Sequence, residues 1–324
     1  MDGGARDDHL LPGPQQRVCQ GVADASCAAG NQGDPCHAYR IVRVSTIVIL
    51  GAGEIGGALA RQLAATDLVS RLVLVDDLGT VAAGKALDVA QAGPVDGSHT
   101  TLSGTSDVAA VVGATLVVVA DRAGQPGGDW QDEAGLALLK RVTGLNQVAP
   151  FLCAGSAQGG LIERGVNEAG IARTRLFGTA AEALRSAVTA ITALEANAAP
   201  SDISLSVLGR PPLQVIVPWD EAAIGGRSIP KVLSTAQLAR LDARVARLWP
   251  PGPYALASAA TRMIRTALTR GRRLHMAIVA VTRDEGTPGL SAIMPVRLQP
   301  SGIATFIAPA LSSRDRVRYE TSLR

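Results

Sequence analysis

The chain has few lysines, only one cysteine beyond its first 42 residues, and no long apolar run. The longest nearly uninterrupted apolar run, Val108 to Ala120, has 13 residues. A membrane-spanning helix needs about 20, so we expect neither a transmembrane segment nor a membrane partner. The isolated cysteine, Cys153, lies in an apolar run, which is typical of a reduced cytoplasmic protein.

Positive and negative charges nearly balance. There are 31 Lys and Arg residues against 28 Asp and Glu residues, and lysine occurs only at Lys85, Lys140 and Lys231. Nucleic-acid-binding proteins normally carry a basic excess, so no nucleic-acid partner is predicted. The densest basic cluster, residues 270–273, is interpreted as a solvated turn before a strand that begins near Leu274, with contact to a phosphate as the alternative.

The first 42 residues differ in composition from the rest. They contain three of the four cysteines and two of the four histidines, and their apolar residues show neither strand nor helix periodicity. We predict a disordered tail over residues 1–42, with the working protein beginning near Val44. The tail lacks the apolar core of a secretory signal. The alternative is a zinc site formed by Cys19, Cys27, Cys36 and His37. These residues lack the paired spacing of zinc-binding motifs.

From Val44 onward, apolar strands alternate with helical patterns, which is typical of a doubly wound parallel sheet. These strands are predicted at 46–50, 71–75, 115–120, 149–153 and 175–178. The second half has short strands, two amphipathic helices and a strand meander, at 202–208, 213–217, 233–248, 254–269, 274–282, 290–298 and 302–309. The prediction is therefore an α/β protein with a Rossmann domain over 44–180 and a mixed α/β domain over 181–324.

The stretch TIVILGAGEIGGALARQL, residues 46–63, reads as a strand, a glycine turn and a helix. Gly51, Gly53 and Gly56 form G-x-G-x-x-G, a turn that lets the backbone approach a pyrophosphate at a helix N-terminus. The motif alone is weak, but an apolar strand precedes it and Ile55, Leu59 and Leu63 then line one helix face. The context therefore favours a dinucleotide site.

An acidic residue follows at the expected distance. Asp76 ends the next strand, RLVLVDD, where a carboxylate accepts hydrogen bonds from an adenosine ribose and repels a 2′-phosphate. NAD is therefore the predicted cofactor, and a Rossmann turn without a ligand is the alternative. The predicted binding residues are Gly51, Gly53, Glu54, Ile55, Gly56 and Asp76.

Four motifs in this half resemble the malate/lactate dehydrogenase family, in the family's order and spacing: ILGAGEIGGALARQLA, LVLVDD, GKALDVAQAGPVDG and LSGTSD. The resemblance continues through SVLG, YALASAATRM and IMPVRL in the second half. It implies a Rossmann domain followed by a catalytic domain, NAD as cofactor and reversible oxidation of a 2-hydroxy acid to a 2-oxo acid. It also implies a homo-oligomer.

That chemistry needs a proton acceptor, usually His, and cationic groups that bind the substrate carboxylate and polarise the carbonyl. The family has two substrate-binding arginines in a mobile loop. When that loop is aligned with this sequence on Pro126 and Gly127, the two arginine positions correspond to Gly124 and Trp130. The catalytic His falls on Pro211, in VLGRPPLQ. The only histidines after the tail are His99, interpreted as a solvated loop residue, and His275, in a predicted strand.

Other family positions are partly kept. Glu182 stands at the family position of the carboxylate that orients the catalytic base, and Arg185 at that of the arginine that binds the substrate carboxylate. The alternative is an ordinary surface ion pair, which commonly has the same spacing. Gly155 replaces an Asn, and Asp121 replaces a glycine near the pyrophosphate, while Thr261 matches a small hydroxyl residue.

Two interpretations follow from these positions. The favoured one is an NAD(H)-binding family member without hydride transfer. The alternative is a working dehydrogenase with a rebuilt site, in which Arg185 binds the carboxylate and Arg122 replaces the loop arginines. In that alternative Glu182 or Asp121 accepts the proton.

A protein that begins at Val44 is expected to melt at the same temperature as the full chain, because residues 1–42 carry no core-forming pattern. Thermal unfolding of the two proteins followed by circular dichroism tests this. A lower melting temperature for the shorter protein would show that the tail packs on the fold.

Overall fold

The computed structural model describes residues 45–125, 127–281 and 289–323. The predicted tail, with its four candidate zinc ligands, and Val44 lie outside these residues, as does Pro126. Within the described ranges no helix is both long and apolar enough to cross a membrane.

Six parallel strands form the first half of the sheet, in the spatial order β3-β2-β1-β4-β5-β6. They are β1 Thr46–Leu50, β2 Arg71–Val75, β3 Thr101–Thr105, β4 Leu116–Val119, β5 Phe151–Cys153 and β6 Leu176–Gly178. The helices are α1 Glu54–Ala65, α2 Gly79–Asp96, α3 Asp132–Leu145, α4 Gly159–Asn167 and α5 Ala180–Ala196. This strand order is that of a dinucleotide-binding Rossmann sheet, so the predicted fold class is confirmed.

The central strands explain this topology. Every residue of β4 and all but the first of β1 are buried, as expected for parallel strands whose two faces are both covered by helices. Val48 pairs with Val73 on one side and Val117 on the other. On α1, Ile55, Leu59 and Leu63 are buried, as their spacing predicts.

The second half extends the same sheet with antiparallel strands. β12 (Leu274–Val281) pairs with β6 through Ile278 and Gly178, and β13 (Leu290–Gln299) follows β12. β13 also pairs with β8 and β14, and β8 pairs with β9. Their bounds are β8 Leu208–Arg210, β9 Gln214–Ile216 and β14 Gly302–Phe306. The predicted meander is thus present, and the boundary between residues 180 and 181 stays a prediction because one sheet runs through both halves.

A small separate sheet contains β7 Ile203–Ser204, β10 Ala223–Ile224 and β11 Arg227–Ser228. The remaining helices are α6 Thr235–Val245, α7 Pro253–Leu268 and α8 Ser313–Ser322. β3 and α8 were not predicted as elements. β3 is a half-buried edge strand that contains a glycine, and α8 is mostly polar, so neither carries a strong apolar pattern.

Three local expectations have counterparts in the structure. His99 is an exposed loop residue whose Nδ1 lies 3.3 Å from a carboxylate oxygen of Asp67. The strand after the arginine cluster begins at Leu274, and Arg270, Arg272 and Arg273 are exposed. Cys153 is fully buried, and burial raises the pKa of its thiol.

Gly104 provides a test of how β3 packs on α2. A Cβ at this position would collide with the backbone of Ala82 and Ala83, so Gly104→Ala is expected to lower the free energy of unfolding by roughly 1–3 kcal/mol. Gly84→Ala is the matched control, because Gly84 is an exposed residue of the same helix with open space around its Cβ position.

Urea unfolding of both variants measures the difference. Gly84→Ala is expected to raise the free energy of unfolding by about 0.5–1 kcal/mol, because alanine has a higher helix propensity than glycine. Equal stability of the two variants would contradict the close packing of β3 against α2.

Candidate functional site

The glycine turn joins β1 to α1 as the sequence predicts. Gly51 has a φ of +113°, which favours glycine, and its N–H donates to Val75 O at 2.7 Å. A Cβ on Gly56 would collide with Gly51 O. The N–H of Gly53, which precedes α1, donates to Asp121 O at 2.9 Å. The turn is therefore fixed to the ends of both neighbouring strands.

The carboxylate of Asp121 lies on the first turn of α1. Its two oxygens accept hydrogen bonds from Ile55 N at 3.1 Å and Gly56 N at 2.9 Å. Asp121 is buried, and a Cβ on Gly53 would collide with its carboxylate. These backbone amides at a helix N-terminus are the groups that bind a dinucleotide pyrophosphate in Rossmann folds. The structure thus brings the Asp121 charge to the glycine turn, as the sequence predicts.

Asp76 is buried beside the same turn. One oxygen accepts hydrogen bonds from Ala52 N at 2.8 Å and Ala123 N at 2.9 Å, and the other accepts one from Leu78 N at 3.0 Å. Only 3% of Asp76 is exposed. Its carboxylate therefore serves the local backbone, and its role toward a ribose stays a prediction.

A cavity of about 220 Å³ opens next to Asp76. Its walls are mostly apolar, and Arg141 adds a positive charge. Of the other residues predicted to bind the cofactor, Glu54 is exposed and Ile55 is buried. Lys85, which the sequence analysis did not select, donates from Nζ to Gly53 O at 2.6 Å. An amine therefore lies against the glycine turn.

A second carboxylate from the β4–α3 connection covers another turn. Asp129 accepts a hydrogen bond from Ala157 N at 2.9 Å, and a Cβ on Gly155 would collide with the Asp129 carboxylate. Burial raises the pKa of Asp129, and the nearby charge of Asp121 raises it further. The hydrogen bond from Ala157 N lowers this pKa but does not outweigh burial. The sequence singles out Gly155 but does not predict the carboxylate of Asp129 that occupies its side-chain space.

Arg122 and Trp130 contact each other in this connection. The Arg122 guanidinium lies 4.9 Å from the centroid of the Trp130 ring, a cation–π distance. Among the described residues, Arg122 Nε and Trp130 Nε1 are buried without a hydrogen-bond partner. Gly124, at the other loop-arginine position, is exposed with a φ of +70°.

Glu182, in the first turn of α5, is an acceptor within the protein interior. Arg185 donates to both of its oxygens, from Nε at 3.1 Å and also from Nη2, and Met276 N donates to Oε2 at 3.1 Å. Burial alone would raise the pKa of Glu182, but the contacts with His275 and Arg185 outweigh it and lower the pKa from 4.5 to about 2. Glu182 is therefore a stabilised anion.

His275 completes this cluster. Its side chain is fully buried, and Nε2 lies 2.9 Å from Thr266 Oγ1. Nδ1 lies 3.3 Å from Glu182 Oε1, yet it makes no hydrogen bond with any described residue. The sequence does not predict this pairing, because nothing in either segment links a residue of α5 to one of β12.

The remaining candidate positions do not share one cavity. Pro211 lines a cavity of about 450 Å³ together with Ser156 and Glu163. Glu182 lines a different cavity, of about 410 Å³, together with Arg262. The predicted base position and its predicted carboxylate partner therefore face different spaces.

Thr261 makes contacts between helices. Its Oγ1 donates to Ala257 O at 2.8 Å within α7 and to Gln62 Oε1 on α1 at 3.1 Å. Its hydroxyl is therefore used in packing α7 against α1.

The predicted cofactor fits this site only in part. The glycine turn has the backbone geometry for a pyrophosphate, but two of its amides, Ile55 N and Gly56 N, already donate to Asp121. A second anion at the same amides would meet a like charge. A bound pyrophosphate would therefore have to displace the Asp121 carboxylate from these amides.

Glu182 gives a pH test. Its pKa is lowered in the folded protein, so its contribution to stability is complete above about pH 4.5 and is lost as the pH falls toward 2. A shift of this size corresponds to a free energy on the order of 3 kcal/mol. Glu182→Gln is expected to be less stable than the natural protein at pH 7 by about that amount, and the difference is expected to shrink below pH 4.5.

Urea unfolding from pH 7 to pH 3 measures this difference. Glu320→Gln is the control, because it removes an equal charge from an exposed position. A gap between the Glu182→Gln variant and the natural protein that stays constant with pH would contradict the assignment.

Comparisons with known proteins agree with the sequence motifs. Residues 45–136 match the family model described as lactate/malate dehydrogenase, NAD binding domain. NAD, the predicted cofactor, is thus confirmed as the cofactor of the matched domain family. The chain is 29% identical over 293 residues to a malate dehydrogenase of Thioalkalivibrio sulfidiphilus, which covers 86% of this chain and 95% of that protein.

Solved structures show the same fold. A lactate dehydrogenase of Cryptosporidium parvum, complexed with lactic acid and nicotinamide adenine dinucleotide, has a TM-score of 0.77 and 19% identity, with 87% of this chain and 95% of that chain covered. The malate dehydrogenase of Aeropyrum pernix has a TM-score of 0.75 and 17% identity over 86% of this chain and 95% of that chain. The motifs, the matched domain and the strand order of this chain together support the malate/lactate dehydrogenase family.

Proposed function

We propose that this chain is a divergent family member that binds NAD(H) weakly and no longer transfers a hydride. The observation that carries the proposal is the setting of Glu182, whose carboxylate is bound by Arg185 and Met276 N and lies 3.3 Å from a histidine, His275, that is fully buried. We propose that the protein acts as a small-molecule-binding homo-oligomer, with a 2-hydroxy or 2-oxo acid as the second candidate ligand.

The lack of a suitable proton acceptor supports this proposal. A general base works best when its pKa lies near the working pH. The pKa of Glu182 is about 2, so its carboxylate holds a proton poorly at neutral pH. Pro211, at the position of the family's histidine, has no titratable group, and the side chain of His275 is fully buried.

The cationic groups of the reaction are also absent or engaged. Gly124 and Trp130 stand at the two loop-arginine positions and carry no charge. Arg185 is paired with Glu182, and Arg122 lies over the Trp130 ring. No described contact therefore directs these guanidinium groups toward a common substrate.

The competing proposal is an active 2-hydroxy acid dehydrogenase with a rebuilt site. The 29% identity to a protein named malate dehydrogenase favours it. It requires Glu182 or Asp121 to accept the substrate proton. Both oxygens of Asp121 already accept hydrogen bonds from backbone N–H groups, those of Ile55 and Gly56.

We expect no steady oxidation of NADH with oxaloacetate, pyruvate or a panel of other 2-oxo acids. Loss of a general base costs roughly 10²–10⁴ in rate, and loss of one electrostatic donor costs about 10²–10³. These losses do not simply multiply, but either one alone lowers a typical turnover of about 10 per second to about 0.1 per second or less. Absorbance at high enzyme concentration is the measurement.

The malate dehydrogenase of Thioalkalivibrio sulfidiphilus, assayed in parallel, is the positive control. Pro211→His is expected to stay inactive, because residue 211 faces a cavity in which Glu163 is already paired with Arg210. Turnover by the natural protein that Arg185→Ala or Glu182→Ala abolishes would establish the rebuilt site instead.

A further inference from the structure

We infer that the carboxylate of Asp121 is a built-in substitute for the pyrophosphate, which excludes the phosphates of a dinucleotide while it lies on the glycine turn. The inference concerns which anion occupies the first turn of α1. It is independent of the proposed loss of hydride transfer, since a protein can bind NAD tightly without reducing any substrate.

Direct hydrogen bonds carry the inference. A helix leaves its first backbone N–H groups without intrahelical partners, and these groups attract an anion. In α1 two of them, Ile55 N and Gly56 N, donate to different oxygens of the same carboxylate at 3.1 and 2.9 Å. Both oxygens of Asp121 are thus used, in the way that two oxygens of a phosphate are used.

The glycines of the motif fit Asp121 itself. A Cβ on Gly53 would collide with the Asp121 carboxylate, and a Cβ on Gly51 would collide with the Asp121 backbone. The space that these glycines leave open for a dinucleotide in Rossmann folds is therefore filled by a side chain of the same protein. Two of the three motif glycines are required even without a ligand.

Neighbouring contacts hold Asp121 in place. Ala123 N donates to Asp76 Oδ2 at 2.9 Å, which ties the residues after Asp121 to the end of β2. Asp129 pairs with Asp121 in a short antiparallel bridge and is itself fixed by Ala157 N. The hydrogen bond from Ala123 N also uses a lone pair of Asp76 that a ribose would need.

The local charges make the exclusion specific for phosphate. Asp76 and Asp121 place two carboxylates beside the turn, and Lys85 places one amine there, with Nζ bound to Gly53 O. Removal of the Asp121 charge would leave two amides of α1 without an acceptor, next to Gly53, whose O accepts from the ammonium group of Lys85. That combination attracts a phosphate. An uncharged nucleoside does not use it.

The test compares ligands with and without phosphate. Isothermal calorimetry measures the affinity of the natural protein and of the Asp121→Asn variant for NAD, ADP and adenosine. The substitution is expected to tighten NAD and ADP by about tenfold or more and to leave adenosine unchanged. Asp88→Asn is the matched control, because it removes a charge from an exposed position on α2, and it is expected to change none of the three affinities.

Thermal unfolding gives a second test, which still works if a substitution of Asp121 lowers the stability of the protein. Asp121→Gly is expected to melt below the natural protein, because Ile55 N and Gly56 N lose their acceptor. Millimolar inorganic pyrophosphate is expected to raise the melting temperature of this variant and to leave that of the natural protein unchanged.

Three results would overturn the inference. The first is an equal affinity of the natural protein and Asp121→Asn for NAD. The second is a gain for adenosine as large as the gain for ADP, and the third is an equal response of both proteins to pyrophosphate. A gain in NAD affinity without turnover leaves the proposed function standing, whereas turnover by the natural protein contradicts the proposed function and leaves the calorimetric comparison valid.

Discussion

The ion–dipole contact between the Asp121 carboxylate and the first turn of α1 organises the carboxyl edge of the parallel sheet. It satisfies two helix N–H groups that have no intrahelical partner. It also joins the end of β4 to the turn after β1. Asp76 joins the end of β2 to the same turn, since its carboxylate accepts hydrogen bonds from Ala52 N and Ala123 N. Two buried carboxylates thus close an edge at which α/β proteins commonly bind ligands.

The second half of the protein depends on a different buried carboxylate. Glu182 is held by Arg185 on its own helix and by Met276 N on β12. Removal of one partner of such a buried cluster leaves an uncompensated charge, which is strongly destabilising. Glu182, together with Arg185, therefore connects α5 to β12.

Much of the fold was predictable because its core strands are short apolar runs with the correct spacing. Edge strand β3 and polar helix α8 were not predicted, since neither has a strong apolar pattern. In the site, Asp121 was predicted near the glycine turn because it stands where the family resemblance places a glycine at the end of the fourth strand. The proximity of His275 to Glu182 and of Asp129 to Gly155 was not predictable. Both depend on tertiary packing between segments that share no local sequence pattern.

The position of β12 in the sheet has a consequence for biosynthesis. β6 is the last parallel strand, and its neighbour β12 pairs with it through residues 178 and 278. The ribosome therefore delivers the covering strand about 100 residues after the strand it covers. During that interval β6 has a free row of backbone N–H and C=O groups, which is a surface prone to pairing with other chains. This edge of β6 gains its partner only after β12, which ends at Val281, has been synthesised.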